Sequence, residues 1–478
     1  MKEKNVTPDL ISPSRVAGDS VDPHPGGPEL VPAGALALFL LLLPAEFWDQ
    51  MRRRQQRRQN NRVYTSAVVT WLMIVQRLQG PGTLHTAVLE LLRDLPASFW
   101  PRPCKRLQPA PAPEGRPLSS HTGAYNQARQ ELPVDVVEQC CDQVFQQLTA
   151  KVAGQLPEVG RRAFFFDGTS VRLPHNEALC AIYPPGSNQH GESHWPLIRM
   201  LVAHDLYTGM AMRPQWGPLY GEQAVSEQGL LEQAIGRLPD GAVVVGDANF
   251  GVFSVAYAAA QQSHPVVLRL TPVRAQHLAG EPLRDGMDRS LQWWPTRDDR
   301  RNHPEWPAQA QVRGRLIVRQ VQPSDGRPAF LLALFSTLEA PADESVRIYG
   351  RRWNIETDLR SLKDTLALEQ LTCTTPEMVA KELEVAMLSY NLVRAITCVA
   401  AQEADLPPRA FSFTGVRNVV NAFAPLIAAA PDEHTRQQLL AKMMYYAGQA
   451  RLPQRRQKRR SYPRAVWGRP QVYPKRRI

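Results

Sequence analysis

Two short apolar runs, each leading to an aspartate, constrain the fold of this chain more than any other feature. Residues 164–166 read FFF and precede Asp167, and residues 243–245 read VVV and precede Gly246 and Asp247. Apolar runs of this length, bounded by turn residues, indicate strands buried in a sheet. Each strand is predicted to deliver its aspartate at its end, at the sheet edge where ligands of α/β proteins usually lie.

The segments between these runs predict the class of the fold. Residues 196–217 read as a hairpin, with its turn near Tyr207 to Gly209. A helical pattern over 221–238 precedes the second apolar run, and another over 252–262 precedes a strand at 264–271. The order strand, hairpin, helix, strand, helix, strand indicates an α/β protein with a mixed sheet.

The charge of the chain is concentrated at one end. The formal net charge is +11, and residues 451–478 contain eleven Lys and Arg and no acid, so the other 450 residues balance to zero. Such a tail is either a solvated, disordered segment or an arm that binds a polyanion by releasing counterions. Its composition does not distinguish DNA, RNA and a membrane surface as the partner.

An apolar run at residues 33–43 is the strongest candidate for a membrane segment. It is too short to span a bilayer and has no basic stretch before it, which disfavours a span and a signal peptide. We expect a buried helix there, no membrane partner and a cytoplasmic protein. The cysteines lack CxxC spacing, which disfavours a zinc site.

The segment YGRRWNIETDLRSLK, residues 349–363, places unusual chemistry at helical spacing. Tyr349, Glu356 and Lys363 are seven apart, about 20° short of two helical turns, so they share one face with Arg352. Apolar residues at the same period predict packing on a sheet: Ile348, Ile355, Leu359, Leu362 and Leu366. The plainer alternative is a solvated helix on which Arg352 and Glu356 form an i,i+4 ion pair.

If Glu356 lies at the rim of that packed face, it can join Asp167 and Asp247. Three carboxylates around one point repel each other, and divalent cations relieve the repulsion. Mg²⁺ prefers oxygen ligands, and a pair of such ions suits phosphoryl transfer. Two Mg²⁺ (or Mn²⁺) ions are therefore the expected cofactors, with Arg352 and Lys363 placed to hold phosphates beside them.

The spacing Y-x2-R-x3-E-x6-K closely resembles the signature of the DDE transposases of the insertion-sequence-four type. FFFDGTSVRLP resembles the first-aspartate segment of that family and VVVGDANFG its second. MLSYNLVRAI is similar to a segment that follows the signature, and NQARQELP to the N-terminal region. The resemblance covers roughly residues 120–420. The second aspartate is followed by Ala-Asn-Phe, where the family more often has an arginine-containing run.

The resemblance implies an RNase H-like catalytic core with a β-rich insertion between the second aspartate and the glutamate. It implies that Asp167, Asp247 and Glu356 are the catalytic, metal-binding triad. Arg352 and Lys363 would contact transposon-end phosphates, and Tyr349 would contact the DNA further. The implied partners are DNA with terminal inverted repeats, target DNA and a second copy in a synaptic homodimer, and the implied place is the nucleoid.

The composition of the chain and the family resemblance together predict its division into domains. It comprises a disordered N-terminus (1–30), a helical DNA-binding domain (31–155), the catalytic domain (156–370) with its insertion at about 272–327, a C-terminal helical region (371–450) and the basic tail (451–478). Trp293, Trp294 and Trp306 in the insertion are expected to pack a small β subdomain, or alternatively to stack on flipped bases. Two other activities stay open, a DNA-binding protein that has lost catalysis and an RNase H-fold nuclease.

Overall fold

The computed structural model describes residues 33–54, 63–80, 82–92, 120–151, 160–188, 191–323, 328–369 and 371–452. The predictions for the N-terminus (1–30) and for the basic tail beyond residue 452 lie outside these residues. The division into domains stays a prediction, because the described helices on either side of the sheet share one continuous core with it.

Six described helices precede the sheet: α1 (Ala35–Leu42), α2 (Ala45–Arg54), α3 (Ser66–Leu78), α4 (Leu84–Leu92), α5 (Gly123–Glu131) and α6 (Val134–Lys151). Helix α1 is the apolar run of the sequence, and it buries Leu38, Phe39 and Leu42, as predicted. Its side chains, with those of α3 and α6, pack around a long helix that follows the sheet, α14 (Pro376–Glu403). The apolar run is therefore part of the protein core.

The described strands form one mixed sheet: β1 (Ala163–Arg172), β2 (Pro185–Asn188), β3 (Gly191–Asp205), β4 (Gln215–Pro218), β5 (Val243–Gly246), β6 (Val266–Arg269), β7 (Asp288–Trp293), β8 (Val312–Val321) and β9 (Phe330–Ser336). The order is β3–β1–β5–β6–β9–β8–β7, and both β2 and β4 pair with β3. Strands β1, β5 and β6 run parallel, and the other pairings are antiparallel. The predicted mixed-sheet, RNase H-like α/β core is confirmed.

Helices cover the two faces of the sheet. The described helices between and after the strands are α7 (Glu177–Ile182), α8 (Glu227–Ile235), α9 (Phe253–Gln261), α10 (Pro272–Ala279), α11 (Arg297–Asn302), α12 (Ala342–Gly350), α13 (Trp353–Arg360), α15 (Phe413–Ala428) and α16 (Glu433–Gln449). Strand β1 alternates between faces: Phe164 and Phe166 pack toward α8 and α9, and Phe165 packs toward α12 and α14. The predicted hairpin corresponds to β3 and β4, with its turn at residues 206–208.

Two details of the predicted sheet are corrected. Asp167 does not end its strand: β1 continues to Arg172, because β3 pairs with it along this whole length. The neighbouring β5 pairs only up to Phe165, so Asp167 still lies at an edge, that of the parallel part of the sheet. The described residues of the inserted interval, 272–323, build no separate sheet, since their strands β7 and β8 extend the main one through β9.

The prediction of one continuous signature helix is wrong. Helix α12 ends at Gly350, and α13 begins at Trp353 after a tight turn. In that turn the N–H groups of Arg351 and Arg352 donate to the carbonyls three residues earlier, at 3.2 and 2.9 Å. Glycine is a poor helix former, which favours a break at this point. The apolar stripe is nevertheless buried as predicted.

A π-helical turn over Ser361–Thr365 follows α13. The hydroxyl of Ser361 donates to the carbonyl of Thr357 at 2.9 Å, and Leu366 N–H donates to the Ser361 carbonyl at 3.2 Å, five residues back. A serine that bonds to the preceding turn competes with the helical ladder and bends the helix. Lys363 is therefore displaced from the regular helical register that its spacing suggested.

A buried polar cluster fixes α13 to the core. Asp358 is fully buried and accepts hydrogen bonds from Arg394 (2.5 Å), from Arg409 (2.5 and 2.7 Å) and from the hydroxyl of Tyr390 (3.0 Å). Burial disfavours the carboxylate, but the two guanidinium groups outweigh it and hold the pKa of Asp358 below its usual range. Tyr390 and Arg394 belong to MLSYNLVRAI, the segment similar to the family downstream of the signature.

Helix α14 is long and apolar enough to cross a membrane by length and composition alone. It is the one such helix among the described residues, and its apolar window is wholly buried inside the protein. Thr375 caps it by accepting from Met378 N–H, and Pro376 occupies its first turn. Helix α14 is thus a central helix of the core.

Replacing Asp358 by Asn should lower the free energy of unfolding by about 3–5 kcal/mol, because two buried guanidinium groups lose their counter-charge. The thermal midpoint of the purified variant measures the effect. Asp364→Asn, an exposed acid on the π-turn, is the matched control and should leave the midpoint unchanged. Equal midpoints for both variants would contradict the anchoring role of Asp358.

Candidate active site

Polar side chains gather where three parallel strands reach the same edge of the sheet. Asp167 on β1 lies beyond the last pairing of β1 with β5, Asp247 follows β5, and Arg269 ends β6. Phe165 and Val245 pack on the face of α12 and α14, so by strand alternation Asp167 and Asp247 point to that face. The structure therefore brings the two predicted aspartates together.

The turn after β5 fixes Asp247. One of its carboxylate oxygens accepts from the backbone N–H of Asn249 at 2.9 Å, and its carbonyl accepts from Phe250 (3.1 Å) and Gly251 (3.0 Å). Gly251 packs against β6 so closely that a Cβ there would lie 2.0 Å from the Arg269 carbonyl oxygen. A side chain at Gly251 would therefore collide with backbone, and the tight turn that presents Asp247 depends on this glycine.

The electrostatic environment of Asp167 is strongly acidic. Burial raises the pKa of Asp167, and the carboxylates of Asp247 and Glu227 raise it further, to about 6, against the opposing effects of the Gly168 N–H and of Arg352. The Gly168 N–H donates to an Asp167 oxygen at 2.9 Å. A carboxylate held among carboxylates favours binding of a cation, the property expected of a metal site.

The residues of the signature segment lie at different places around the sheet edge that bears Asp167 and Asp247. Tyr349 is 6% exposed, and its ring lies 6.5 Å from that of Phe165. Burial raises the pKa of Tyr349, so it is a neutral phenol. Arg352 is the N-cap residue of α13, four residues before Glu356, and Lys363 lies on the π-turn, half-buried. Helix α13 packs against β1, and Arg352, which precedes this helix, lies close enough to Asp167 to stabilise its charge.

Glu356 forms an ion pair with Arg352, the residue that precedes its helix. Its carboxylate is 3.9 Å from the guanidinium of Arg352, the ion pair that the plainer sequence interpretation predicted. Arg352 also acts electrostatically on Asp167. No group of three His, Cys, Asp or Glu side chains among the described residues has the arrangement of a metal site. Arg352 therefore supplies positive charge between Asp167 and Glu356.

Sequence reasoning missed two charged residues at this edge. Glu227, the first residue of α8, acts on Asp167, and Arg269 acts on Tyr349. Arg269 had a usable signal, since it ends an apolar strand as the aspartates do. Glu227 had none, because an acid in the first turn of a helix is common for reasons of the helix dipole alone.

The tryptophans of the inserted interval have different environments. Trp293 is buried against Phe335 at 4.9 Å, and Trp306 packs on Phe253 at 5.3 Å, as the packing interpretation predicts. Trp294 is 48% exposed and lines a cavity of about 340 Å³ together with Arg274. Packing thus accounts for two of the three rings.

Comparison with known proteins connects this arrangement to a family. A family model described as a transposase DDE domain matches residues 158–392, a range that contains the sheet, both aspartates and the signature segment. The chain is also similar to the transposase InsG for insertion sequence element IS4 of Escherichia coli (strain K12). The two are 24% identical over 474 residues, which cover 97% of this chain and 94% of that protein.

Replacing Gly251 by Ala should destabilise the edge of the sheet by about 1–3 kcal/mol, because the new Cβ meets a carbonyl oxygen that cannot rotate away. Gly236→Ala is the matched control, since a Cβ at Gly236 has nothing within 4 Å. Thermal unfolding of both variants measures the difference. A Gly251→Ala protein as stable as the control would show that the Asp247 turn tolerates a side chain.

Proposed function

We propose, from the premise that the chain belongs to the DDE transposases of the insertion-sequence-four type, that it cuts transposon ends and joins them to target DNA. The observation that supports this most is the meeting of Asp167 and Asp247 at one sheet edge, with α13 packed against the strand that bears Asp167. Transposases act on DNA, and the family generally uses divalent metal ions.

The residues at this edge fit a divalent cation by their chemistry. The donors are carboxylate oxygens, which Mg²⁺ and Mn²⁺ prefer. Burial raises the pKa of Asp167, and the carboxylates of Asp247 and Glu227 raise it further by a repulsion that a cation would relieve. We propose that Asp167, Asp247 and Glu356 hold two such ions. When bound, the ions lower the pKa of a water and stabilise the attacking and leaving oxygens.

Arg352 has a second role in this proposal. In the DNA-free protein its guanidinium pairs with Glu356 and offsets the charge of Asp167. A phosphate of the transposon end offers the guanidinium a bidentate partner of the same sign as Glu356. We propose that Arg352 exchanges Glu356 for this phosphate, so that Glu356 becomes free to join the two aspartates when DNA is in place.

Lys363 and Tyr349 are the other proposed DNA contacts. Lys363 extends from the π-turn and would hold a phosphate as a point charge. Tyr349 is buried, its hydroxyl oxygen included, so a contact of this neutral donor with DNA requires a local shift that exposes the hydroxyl. The ring itself packs on Phe165 and supports the strand that bears Asp167.

The chemistry consists of two displacements at phosphorus. Water attacks the phosphodiester at the transposon end, the 3′ oxygen leaves, and the strand ends in a 3′ hydroxyl. That hydroxyl then attacks a target phosphodiester and displaces its 3′ oxygen, so one P–O bond forms for each that breaks. Both ends are handled together, for which we propose a homodimer in a synaptic complex, acting in the cytoplasm at the nucleoid.

Two other functions are separable from this one. A DNA-binding protein without catalysis would keep the fold but would need no crowded carboxylates, and here all three are present. An RNase H-fold nuclease would cut but would not join strands. An assay that follows both cleavage and joining of labelled end DNA therefore separates the three functions.

Asp167→Ala, Asp247→Ala and Glu356→Ala should each abolish cleavage and strand transfer, with a loss of at least about 1,000-fold, while binding of end DNA persists. Gel-shift and strand-transfer assays measure the two properties in parallel. Glu403→Ala, an exposed acid at the end of α14, is the control and should retain both activities. Retained cleavage in any of the three variants would remove that residue from the proposed triad.

Removal of residues 453–478 should weaken DNA binding and reduce the slope of log affinity against log salt, by about 0.9 for each phosphate that the tail neutralises in the intact protein. Deletion after Leu452 keeps the backbone pairing of Leu452 with Ala410. A tail of equal length with its Lys and Arg changed to Gln is the matched control for charge. If the slope of log affinity against log salt is unchanged in both variants, the tail does not bind DNA and is only a solvated segment.

A further inference from the structure

Glu227 is a fourth carboxylate at the candidate site. Its contacts are more specific than those of an acidic residue that only interacts with the dipole of its helix. It follows the N-cap Ser226 of α8 and lies against β1 next to Asp167. A Cβ at Gly168 would lie 2.1 Å from a Glu227 carboxylate oxygen. The glycine of the FFFDG motif thus leaves the space into which this carboxylate fits.

Glu227 is linked to Asp247 by hydrogen bonds that both involve Asn249. The side-chain amide of Asn249 donates to the other Glu227 oxygen at 2.5 Å, and the backbone N–H of Asn249 donates to Asp247 at 2.9 Å. Gln228 completes the contact by donating to the side-chain and backbone oxygens of Asn249, at 2.8 and 2.9 Å. The first two residues of α8 therefore form hydrogen bonds with the loop that contains Asp247.

Asn249 belongs to the Ala-Asn-Phe run that replaces the more usual arginine-containing run after the second aspartate. An asparagine there can accept and donate at once, which an arginine cannot. The residue that departs from the family pattern, Asn249, therefore makes a specific hydrogen bond in this structure, to Glu227.

We propose that Glu227 is a positioning residue, which holds Asn249 and thereby directs the Asp247 carboxylate toward the metal position. The proposal rests on the proposed function. Glu227 lies on the α8 side of the sheet, whereas Asp167, Asp247 and α13 lie on the α12 side. One of its carboxylate oxygens already accepts from Asn249, and its place on the opposite side of the sheet makes it a support for a ligand and not a ligand itself. Residues that support metal ligands in this way affect metal affinity by about 10–100-fold.

The test measures binding of Mn²⁺ alone to the full-length protein, followed by the electron paramagnetic resonance signal of the free ion. Glu227→Ala should weaken the Mn²⁺ affinity by about 10-fold. Glu227→Gln keeps an oxygen that accepts from Asn249 and should recover most of the affinity. Glu232→Ala removes an acid farther along the same helix and should leave the affinity unchanged.

Three results would overturn the inference. Equal affinities for Glu227→Ala and Glu232→Ala would make the contact structural only. A Gln variant as weak as the Ala variant would mean that charge or direct coordination, not positioning, explains the effect. Absence of Mn²⁺ binding in the unchanged protein, with no difference on Asp247→Ala, would remove the proposed metal site and this inference with it.

A second pair of variants keeps the test valid if Glu227→Ala fails to fold. Asn249 is exposed, so Asn249→Ala can remove the same contact from the other side with little risk to folding. Asn249→Ala should weaken Mn²⁺ binding as Glu227→Ala does, and the double variant should be no weaker than either alone. Additive losses, or an Asn249→Ala protein with unchanged affinity, would contradict the proposal.

Discussion

The ion pairs of Asp358 with Arg394 and Arg409 are the interaction on which the rest of the structure depends. A sheet edge can present two aspartates by itself, but the third group has to come from a helix distant in sequence. Helix α13 is short, begins after a break and ends in a π-turn, so its own hydrogen bonds do little to fix it. Two guanidinium groups around one buried carboxylate fix its position and rotation instead.

This cluster also explains how a segment downstream of the signature contributes to the same part of the structure. Tyr390 and Arg394 reach Asp358 from α14, and Asn391 exchanges two hydrogen bonds of 2.8 Å with the backbone of Ala211, in the connection between β3 and β4 of the hairpin. The long helix thus joins the antiparallel hairpin to the signature helix. The segment MLSYNLVRAI thereby anchors the helix that bears Glu356.

Charge balance gives the site its second constraint. Carboxylates crowd Asp167 from two sides, and Arg352 is the cation that acts on it and pairs with Glu356. A cation that is part of the protein can offset the repulsion before substrate arrives, and it can move to a phosphate afterwards. On this account the ion pair that the plain sequence interpretation predicted is the DNA-free form of the proposed metal site.

Much of this could be predicted from the sequence, for physical reasons. Apolar runs such as FFF and VVV report burial directly, so the sheet, the two aspartates and the apolar stripe of the signature were accessible. The break at Gly350 and the π-turn at Ser361 were not, because seven-residue spacing survives small departures from a regular helix. Glu227 and Arg409 were hidden for another reason, since their roles depend on tertiary contacts with Asn249 and Asp358.

The central claim is that two sheet-edge aspartates and one helical glutamate converge on shared cations once DNA takes Arg352. A structure of the protein with transposon-end DNA and Mn²⁺, with the ions located by anomalous scattering, tests it most directly. We expect Mn²⁺ to be coordinated by Asp167, Asp247 and Glu356, with Arg352 bound to a phosphate. Ions bound away from Glu356, with its carboxylate still paired to Arg352, would contradict it.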